Sequence, residues 1–182
     1  MSITLVTGPP GAGKSTVAAA VARSYPLGVH VVADQAFHWI TSGFRAPWEH
    51  EADRQNATVI DAVAAAAGRF ADGGYEVVVD GIVGPWFLDR FRRSIGSPSM
   101  TMRYVVLRPT RLVARQRAVE RRGRGDLTEP EPIDLMYDAF ADLETYEAHV
   151  VDSTREQPDA TVQTVLAGLA AGRFDLGGQI RE

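Results

Sequence analysis

Residues 5–16 read LVTGPPGAGKST, an apolar run that leads into a glycine-rich turn and the only lysine of the chain. Gly8, Gly13, Lys14 and Ser15 match the spacing G-x-x-x-x-G-K-[ST], with a predicted strand before the turn and a predicted helix after it. The glycines allow successive backbone N–H groups to turn inward around phosphate oxygens. This stretch therefore predicts a loop that holds the phosphates of a nucleotide.

The side chains of this loop have distinct expected roles. Lys14 reaches the β- and γ-phosphates, Ser15 is a ligand of Mg²⁺, and the following helix directs its positive N-terminal end at the phosphates. The sequence has 18 arginines and one lysine, so its only side-chain ammonium group lies in this loop. We predict that the whole turn contacts the nucleotide through Gly8, Pro9, Pro10, Gly11, Ala12, Gly13, Lys14, Ser15 and Thr16.

Length and composition bound the class of protein. The chain has 182 residues, which suits a single domain over residues 1–182, and 45% of them are hydrophobic. It has no cysteine, which excludes disulfides and thiolate metal sites. The net charge of −4 argues against a nucleic-acid binder, and the short N-terminal apolar run matches neither a signal peptide nor a membrane span. We therefore expect a cytoplasmic protein that binds neither nucleic acid nor a membrane.

Strand and helix patterns alternate along the chain. A long helix is predicted over residues 49–72, with Phe70 among the apolar side chains on its buried face. The alternation predicts an α/β fold in which helices cover both faces of a parallel sheet. Ligands bind at the carboxyl ends of such strands, which places Gly8, Asp34 and Asp80 on one rim. The predicted strands are residues 3–7, 29–33, 75–81, 102–109 and 149–152.

The two aspartates at strand ends indicate transfer of a phosphoryl group to an acceptor. A GTPase would carry an Asn-Lys-x-Asp motif, for which the chain has no second lysine, and no glutamate follows Asp80 to activate water as in motor ATPases. Asp34 can supply the base that orients an attacking hydroxyl, and Asp80 can hold Mg²⁺ through water. Each has an alternative, because Asp34 could be the N-cap of a helix at residues 35–41 and Asp80 could simply form an Asp-Gly turn.

Charge is segregated in the second half of the chain. Residues 108–124 contain seven arginines and one acid, whereas residues 126–147 contain eight acids and no lysine or arginine. Arg117 and Arg121 lie four apart on one predicted helix face, and Arg124 follows between glycines. Guanidinium groups that close over a nucleotide can stabilise charge on the transferred phosphoryl group. The alternative is a solvated basic helix that pairs with the acidic block.

Aromatic side chains concentrated around the two aspartates predict an acceptor site. Aromatic rings interleaved with a few histidines and arginines suit a mostly apolar organic acceptor held by a small number of polar contacts. The alternative is that these rings belong to the hydrophobic core. The rings are Phe37, Trp39, Phe44, Trp48, Trp86 and Phe87, and the interleaved polar residues are His38, Arg45, His50 and Arg54.

Together these motifs resemble the small P-loop kinases and, more narrowly, the chloramphenicol phosphotransferase-like group, with gluconate and shikimate kinases as broader relatives. The resemblance covers nearly the whole chain and rests on GPPGAGKST, VVADQAF, VVVDGIVG, the arginine-rich segment and YEAHVVDSTREQPDATVQTVLAGL. It implies a three-layer fold whose five strands lie in the order 2-3-1-4-5. It also implies Mg-ATP as the phosphoryl donor.

The resemblance further implies roles for individual residues. Asp34 would be the general base, and the arginine-rich segment, about residues 115–131, would be a lid over the site. The loop from Asp152 to Pro158 would border the adenine, with a lid-side arginine, Arg115, stacked on its face. The residues expected to close the site are Arg117, Arg121 and Arg124, and those expected beside the adenine are Asp152, Thr154 and Pro158.

One departure from related kinases concerns the acceptor. Nucleoside monophosphate kinases usually carry an arginine shortly after the corresponding Asp-Gly, but residues 82–85 here are Ile-Val-Gly-Pro. We expect an acceptor without phosphate, although Arg45 or Arg54 could supply such a contact. The prediction is an enzyme that moves the γ-phosphate of Mg-ATP to a hydroxyl of a small molecule, such as an antibiotic or sugar-like compound. The alternatives are a zeta-toxin-like nucleotide-sugar kinase and a nucleotide-binding regulatory module with little turnover.

Overall fold

The computed structural model describes residues 1–97, 100–121 and 127–177. Its strands are β1 (Ser2–Thr7), β2 (Gly28–Val32), β3 (Glu76–Asp80), β4 (Thr101–Leu107) and β5 (Val150–Val151). They form one five-stranded sheet in the order β2-β3-β1-β4-β5, and every neighbouring pair is parallel. This confirms the predicted fold class and strand order.

Helices connect the strands and cover both faces of the sheet. None of the helices in the described residues combines the length and the apolarity that crossing a bilayer requires. The α-helices are α1 (Lys14–Arg23), α2 (Ala33–Phe37), α3 (Asp53–Asp72), α4 (Leu88–Ile95), α5 (Arg111–Val119), α6 (Pro130–Asp138) and α7 (Pro158–Ala170). Short 3₁₀ turns lie at His50–Ala52, Pro85–Phe87 and Glu144–His149.

The two faces of the sheet bury two separate hydrophobic cores. Leu5 and Val79 lie in a core with side chains of α3 and α4, whereas Val6 and Val78 lie in a second core with side chains of α1 and α7. Successive residues of β1 and β3 therefore point into opposite cores. Burial on both faces explains why these strands appear in the sequence as continuous apolar runs.

Predicted element boundaries differ from the structure at several points, two of which involve α2 and α3. β2 ends at Val32, and Ala33 already begins α2, so that Asp34 lies in a helical first turn rather than at a strand end. The predicted helix over 49–72 starts as the 3₁₀ turn His50–Ala52 before α3 begins at Asp53. Apolar spacing indicates which face is buried, but it does not show at which residue the backbone hydrogen-bonding pattern changes.

Close packing of α3 on α4 explains why the prediction for Phe70 was wrong. Phe70 is 44% exposed, whereas Ala64, Ala67 and Ala71 form the buried face in this half of α3. At Gly68 a Cβ atom would lie only 2.3 Å from the Ile95 carbonyl oxygen. At this point α3 and the end of α4 are so close that position 68 has no room for a side chain.

We expect Gly68→Ala to lower the free energy of unfolding by about 1–3 kcal/mol, as overpacked core sites do. The new Cβ would contact the Ile95 backbone, so α4 would have to shift. The free-energy cost of this shift should exceed the ~1 kcal/mol by which alanine stabilises a helix relative to glycine. Urea unfolding measures the difference. Gly177→Ala is the control, because nothing lies within 4 Å of the position its Cβ would take. Equal unfolding midpoints for both variants would contradict the close packing.

Candidate active site

The glycine-rich turn between β1 and α1 is held against the backbone of two other elements. A Cβ atom at Gly8 would lie 2.0 Å from the Leu107 carbonyl oxygen, and one at Gly11 would lie 2.0 Å from that of Ala114 in α5. The Gly8 and Gly11 backbones adopt φ angles of 140° and 80°. The motif itself does not require glycine at position 11. The need for glycine there comes from α5, whose position the sequence motif does not reveal.

Lys14 is the first residue of α1 and lies buried beneath the turn. Its Nζ donates a hydrogen bond to the Pro9 carbonyl oxygen at 3.1 Å. Burial lowers the pKa of Lys14, and the positive charge of Arg121 lowers it further, whereas the negative charge of Asp34 opposes this effect. Gly13, the N-cap of α1, provides no side-chain cap, so the first backbone N–H groups of the helix are open to an anion.

Ser15 and Asp80 meet across the α1 face of the sheet. The Ser15 hydroxyl donates a hydrogen bond to Oδ2 of Asp80, and Nε2 of His30 donates one to Oδ1 at 2.8 Å. Asp80 is buried. Both of its carboxylate oxygens are therefore occupied by side-chain donors, an arrangement that the Asp-Gly turn alternative does not explain. The sequence analysis did not predict His30 as a site residue. The only indication in the sequence is that this histidine interrupts the apolar run VHVVA.

The hydroxyl of Ser15 and the carboxylate of Asp80 are oxygen donors of the kind that Mg²⁺ prefers. Within the described ranges, no group of three or more histidine, aspartate or glutamate residues lies together as a metal site. Magnesium commonly uses one or two protein oxygens together with substrate phosphates and water. The residues present thus fit a cation that arrives with a nucleotide.

Asp34 projects from the first turn of α2 into a cavity next to Lys14. Val32 is the N-cap of α2 and makes no side-chain cap, so the alternative of Asp34 as the N-cap is wrong. The carboxylate can be reached from the cavity but is crowded by surrounding protein. This loss of hydration raises the pKa of Asp34, with a further rise from Asp80, while Lys14 and the Ile82 backbone N–H act in the opposite direction.

The loop after β3 is fixed to two neighbouring strands. The Val83 N–H donates to Oγ1 of Thr7 at 3.0 Å, and the Tyr104 hydroxyl donates to the Val83 carbonyl oxygen at 3.0 Å. Burial raises the pKa of Tyr104 far above its usual range, so it remains a neutral donor. The loop holds the Ile82 N–H that interacts with Asp34. Tyr104 lies 70 residues from Asp34, and no local pattern reveals this link.

The predicted catalytic arginines lie in different surroundings. The prediction that Arg117 and Arg121 share one helix face was wrong, because α5 ends at Val119 and Arg121 lies beyond it. Arg121 lines the cavity and is close enough to Lys14 and Asp34 to affect the pKa of each. Arg117 donates to the carbonyl oxygens of Ser153 at 3.2 Å and Thr154 at 3.3 Å. The prediction for Arg124 lies outside the described residues, as does the part of the predicted lid at 122–126. The closing role of this segment stays a prediction.

Other arginines of the basic segment pair with the acidic block, as the alternative for this segment proposed. Arg115 contacts Asp134 of α6 at 3.4 Å. Arg111 pairs with Asp138, and its guanidinium lies 4.6 Å from the centre of the Tyr137 ring. These contacts join α5 to α6. In this structure Arg115 faces α6, and its stacking on adenine stays a prediction.

The loop predicted to border an adenine lies beside the phosphate-binding turn. The Asp152 carboxylate accepts hydrogen bonds from the backbone N–H and the hydroxyl of Thr154. Thr154 also accepts one from the Thr110 N–H at 2.9 Å, and Ser153 donates to the Ala12 carbonyl oxygen at 3.4 Å. Pro158 opens α7 directly after this loop. The loop is thus ordered by its own contacts, and its role toward a base stays a prediction.

A cavity of about 1080 Å³ opens from Lys14 and Asp34 and is walled mainly by apolar side chains. Five of the six predicted aromatic residues line it, and the sixth, Trp39, is 68% exposed. Arg45 and Arg54 line a separate shallow depression. Met136 and Ala139, from the α6 region, also form part of the wall and were not predicted. The five aromatic residues are Phe37, Phe44, Trp48, Trp86 and Phe87.

Several solved structures share this fold. A sugar kinase from Janibacter sp. HTCC2649 is 19% identical with a TM-score of 0.71, covering 93% of this chain and 95% of that one. A gluconokinase from Sinorhizobium meliloti 1021 is 20% identical with a TM-score of 0.63, covering 93% and 92%. A tunicamycin resistance protein from Deinococcus radiodurans is 16% identical with a TM-score of 0.64, covering 92% and 95%. At these identities the likeness shows a common fold.

Sequence comparison identifies the family. No curated protein matches the chain significantly. A family of AAA domains, AAA_33, matches residues 3–143. This span contains the phosphate-binding turn, the two rim aspartates, the basic helix α5 and the wall of the cavity. The chain therefore belongs to the AAA_33 family of AAA domains.

Proposed function

We propose that this protein is an ATP-dependent phosphotransferase that moves the γ-phosphate of Mg-ATP to a hydroxyl group of a small molecule. The observation that carries the proposal is the position of Asp34. Its carboxylate lies between the phosphate-binding turn and a large apolar cavity, next to Lys14 and in reach of a bound molecule. A motor or switch protein would not need an accessible carboxylate facing an organic binding site.

The residues around the turn divide the work of the transfer. Lys14 and the first N–H groups of α1 bind the β- and γ-phosphates. Ser15 and Asp80 would hold Mg²⁺, which would neutralise phosphate charge when bound. Asp34 accepts the hydroxyl proton as the acceptor oxygen bonds to phosphorus and the bond from phosphorus to the β–γ bridging oxygen breaks, leaving ADP. Arg121 lies where it can stabilise the charge that spreads over the transferred group.

The walls of the cavity favour an acceptor with an apolar body and no negative charge. Among the described residues that line it, the lysine and arginine side chains are Lys14 and Arg121, both at the phosphate end. The other ionisable side chains on its wall are His38 and the acids Asp34, Asp53 and Glu129. An anionic acceptor would be desolvated there without a cationic partner, which is unfavourable. The narrower resemblance to chloramphenicol phosphotransferases is compatible with this chemistry and stays a prediction.

One polar group on the wall is suited to recognition. Nδ2 of Asn56 donates to the Pro47 carbonyl oxygen at 2.7 Å, which fixes the orientation of the amide. Oδ1 of Asn56 has no hydrogen-bond partner among the described residues. Buried polar atoms without partners are uncommon in folded proteins. Asn56 lies in the first turn of α3. A small displacement of the segment at Pro47 would let Oδ1 accept a hydrogen bond from a hydroxyl or N–H of the bound molecule.

The proposal is tested by ADP release from Mg-ATP across a panel of hydroxylated compounds, with Lys14→Ala as the blank. The panel compares uncharged compounds with an apolar body, such as amphenicols and nucleosides, with macrolides and aminoglycosides, which carry amines, and with sugars, nucleotide sugars and polyol acids. We expect release with a neutral, largely apolar class and none with the polyol acids. Release with nucleotide sugars would favour the zeta-toxin-like alternative. If no compound in the panel causes ADP release although thermal shift confirms ATP binding, the regulatory module would be favoured.

Trp48 should contribute to acceptor binding because its ring lines the cavity. We expect Trp48→Ala to raise the KM for the acceptor found in the panel about 10- to 100-fold, as loss of a tryptophan contact commonly does. The KM for ATP should stay close to that of the wild type. Trp39→Ala is the matched control, since Trp39 is 68% exposed and lies off the cavity wall. Equal effects of the two substitutions would place the acceptor elsewhere.

A further inference from the structure

The carboxylate of Asp80 is held at both oxygens by side chains from different elements. Ser15 donates to Oδ2 from α1, and His30 donates to Oδ1 from β2 at 2.8 Å. The Asp80 side chain is only 2% exposed, so bulk water cannot replace either donor. A buried carboxylate oxygen needs a hydrogen-bond donor to offset the loss of hydration. His30 fills this need for the oxygen that Ser15 does not contact.

The sheet register brings His30 to this position. His30 pairs with Val78 of β3, and Asp80 lies two residues farther along that strand. Val78 faces the core that contains α1, whereas Val31, next to His30, packs against the opposite core. His30 and Asp80 therefore lie diagonally on the α1 face of the sheet, and an imidazole is long enough to span that diagonal. A shift of β2 by one residue would turn His30 to the other face.

We propose that His30 is a positioning residue of the metal site, acting through Asp80 on Ser15. The Ser15 hydroxyl has one proton and donates it in the hydrogen bond to Asp80, which leaves its oxygen lone pairs free of the carboxylate and able to bind a cation. This is the orientation that a magnesium ligand requires. By holding Oδ1, His30 fixes the carboxylate so that Oδ2 remains aimed at Ser15. The inference rests on the proposed function, because it concerns the cation that would accompany ATP.

The test measures how much Mg²⁺ strengthens ADP binding, by isothermal titration calorimetry with and without the cation. We expect His30→Leu to reduce the Mg²⁺-dependent gain about 10- to 100-fold, as loss of a partner that orients a metal ligand does. ADP affinity without Mg²⁺ should be unchanged, because the turn and Lys14 are intact. His30→Gln should recover most of the gain, since its amide N–H can reach Oδ1.

His149→Leu is the matched control. His149 also donates a hydrogen bond inside the fold, from Nδ1 to the Tyr104 carbonyl oxygen at 2.9 Å. It directly precedes β5, at the edge of the sheet opposite β2. This variant should keep the full Mg²⁺-dependent gain. If His30→Leu does not fold, His30→Asn replaces it, because the shorter amide cannot reach Asp80 whereas that of glutamine can.

The outcomes separate this inference from the proposed function. A full Mg²⁺-dependent gain in His30→Leu, or in the substitute His30→Asn, would overturn the role of His30 and leave the metal role of Ser15 and Asp80 standing. An equal loss of ADP affinity with and without Mg²⁺ would show that His30 only supports the fold, and would also overturn it. Absence of any Mg²⁺-dependent gain in the wild type would overturn the metal site itself and the inference together.

Discussion

Asp34→Asn is expected to lower the turnover of the acceptor about 10²- to 10⁴-fold, the usual cost of losing a general base. The amide has nearly the same shape as the carboxylate, so the cavity and the loop that carries Ile82 should be undisturbed. ATP affinity should remain close to that of the wild type, because the phosphate-binding turn is unchanged. Steady-state kinetics and calorimetric ATP binding on the same preparation separate the two effects.

The pH dependence of the wild type gives an independent test of Asp34. Loss of hydration raises the pKa of Asp34 above its ordinary value of 3.8. A base must be ionised to accept a proton, so kcat/KM should fall as the pH is lowered through this raised pKa. The acidic limb of the profile should therefore lie at higher pH than an exposed aspartate would give. Asp34→Asn should lose this limb along with most of its activity.

Asp53→Asn is the matched control for the base, because Asp53 is another carboxylate on the wall of the same cavity. It should change the KM for the acceptor more than kcat, since it removes a wall charge without removing the proton acceptor. If Asp34→Asn turned over at the wild-type rate with the acidic limb retained, Asp34 would not be the base. Another cavity residue would then have to accept the proton.

Substitution of Lys14 should have the second large effect. Lys14→Ala and Lys14→Met remove the ammonium that faces the phosphates, and we expect kcat/KM to fall by about 10³-fold or more, as for other groups that neutralise transferred phosphoryl charge. ATP affinity should fall as well. Lys14→Met retains much of the side-chain volume, so its loss of function would be due to the charge rather than to a void under the turn.

The single lysine allows a direct measurement of this site. An amine-selective acylating reagent can modify only Lys14 and the N-terminal amino group. Lys14 lines the cavity, from which a small reagent can approach its amino group. ATP should protect Lys14 and leave the N-terminus reactive, and mass spectrometry of the intact protein and its peptides counts both products. Equal labelling of Lys14 with and without ATP would contradict its role in phosphate binding.

The phosphate-binding turn was predictable because its function depends on neighbouring residues. Gly8 to Ser15 form one short segment, and the strand and helix around it can be recognised from apolar spacing alone. The parallel sheet followed from the alternation of strands and helices, and the rim position of Asp80 followed from the end of an apolar run. Local patterns were less reliable at α2, where the chain turns helical one residue before Asp34.

The roles of the arginines could not be separated from sequence. Arg115 and Arg117 lie on α5 and Arg121 follows its end, but one contacts α6, one contacts the loop at Ser153 and one lines the cavity. These differences depend on how α5 packs against elements that come later in the chain. Helical periodicity predicts the relative directions of the side chains on α5. It does not predict which neighbouring element each side chain contacts.

By itself, the sequence determined the nucleotide-binding turn, the α/β class and the set of residues on one rim, because each follows from chain-local geometry. Only the tertiary structure brought His30 to Asp80, Tyr104 to the loop at Val83 and Met136 to the cavity wall. The first two pairs are separated by 50 and 21 residues, and strand register and helix packing bring them together. Such long-range contacts leave no periodic signal in the chain, and they set the shape of the cavity and the orientation of the Asp80 carboxylate.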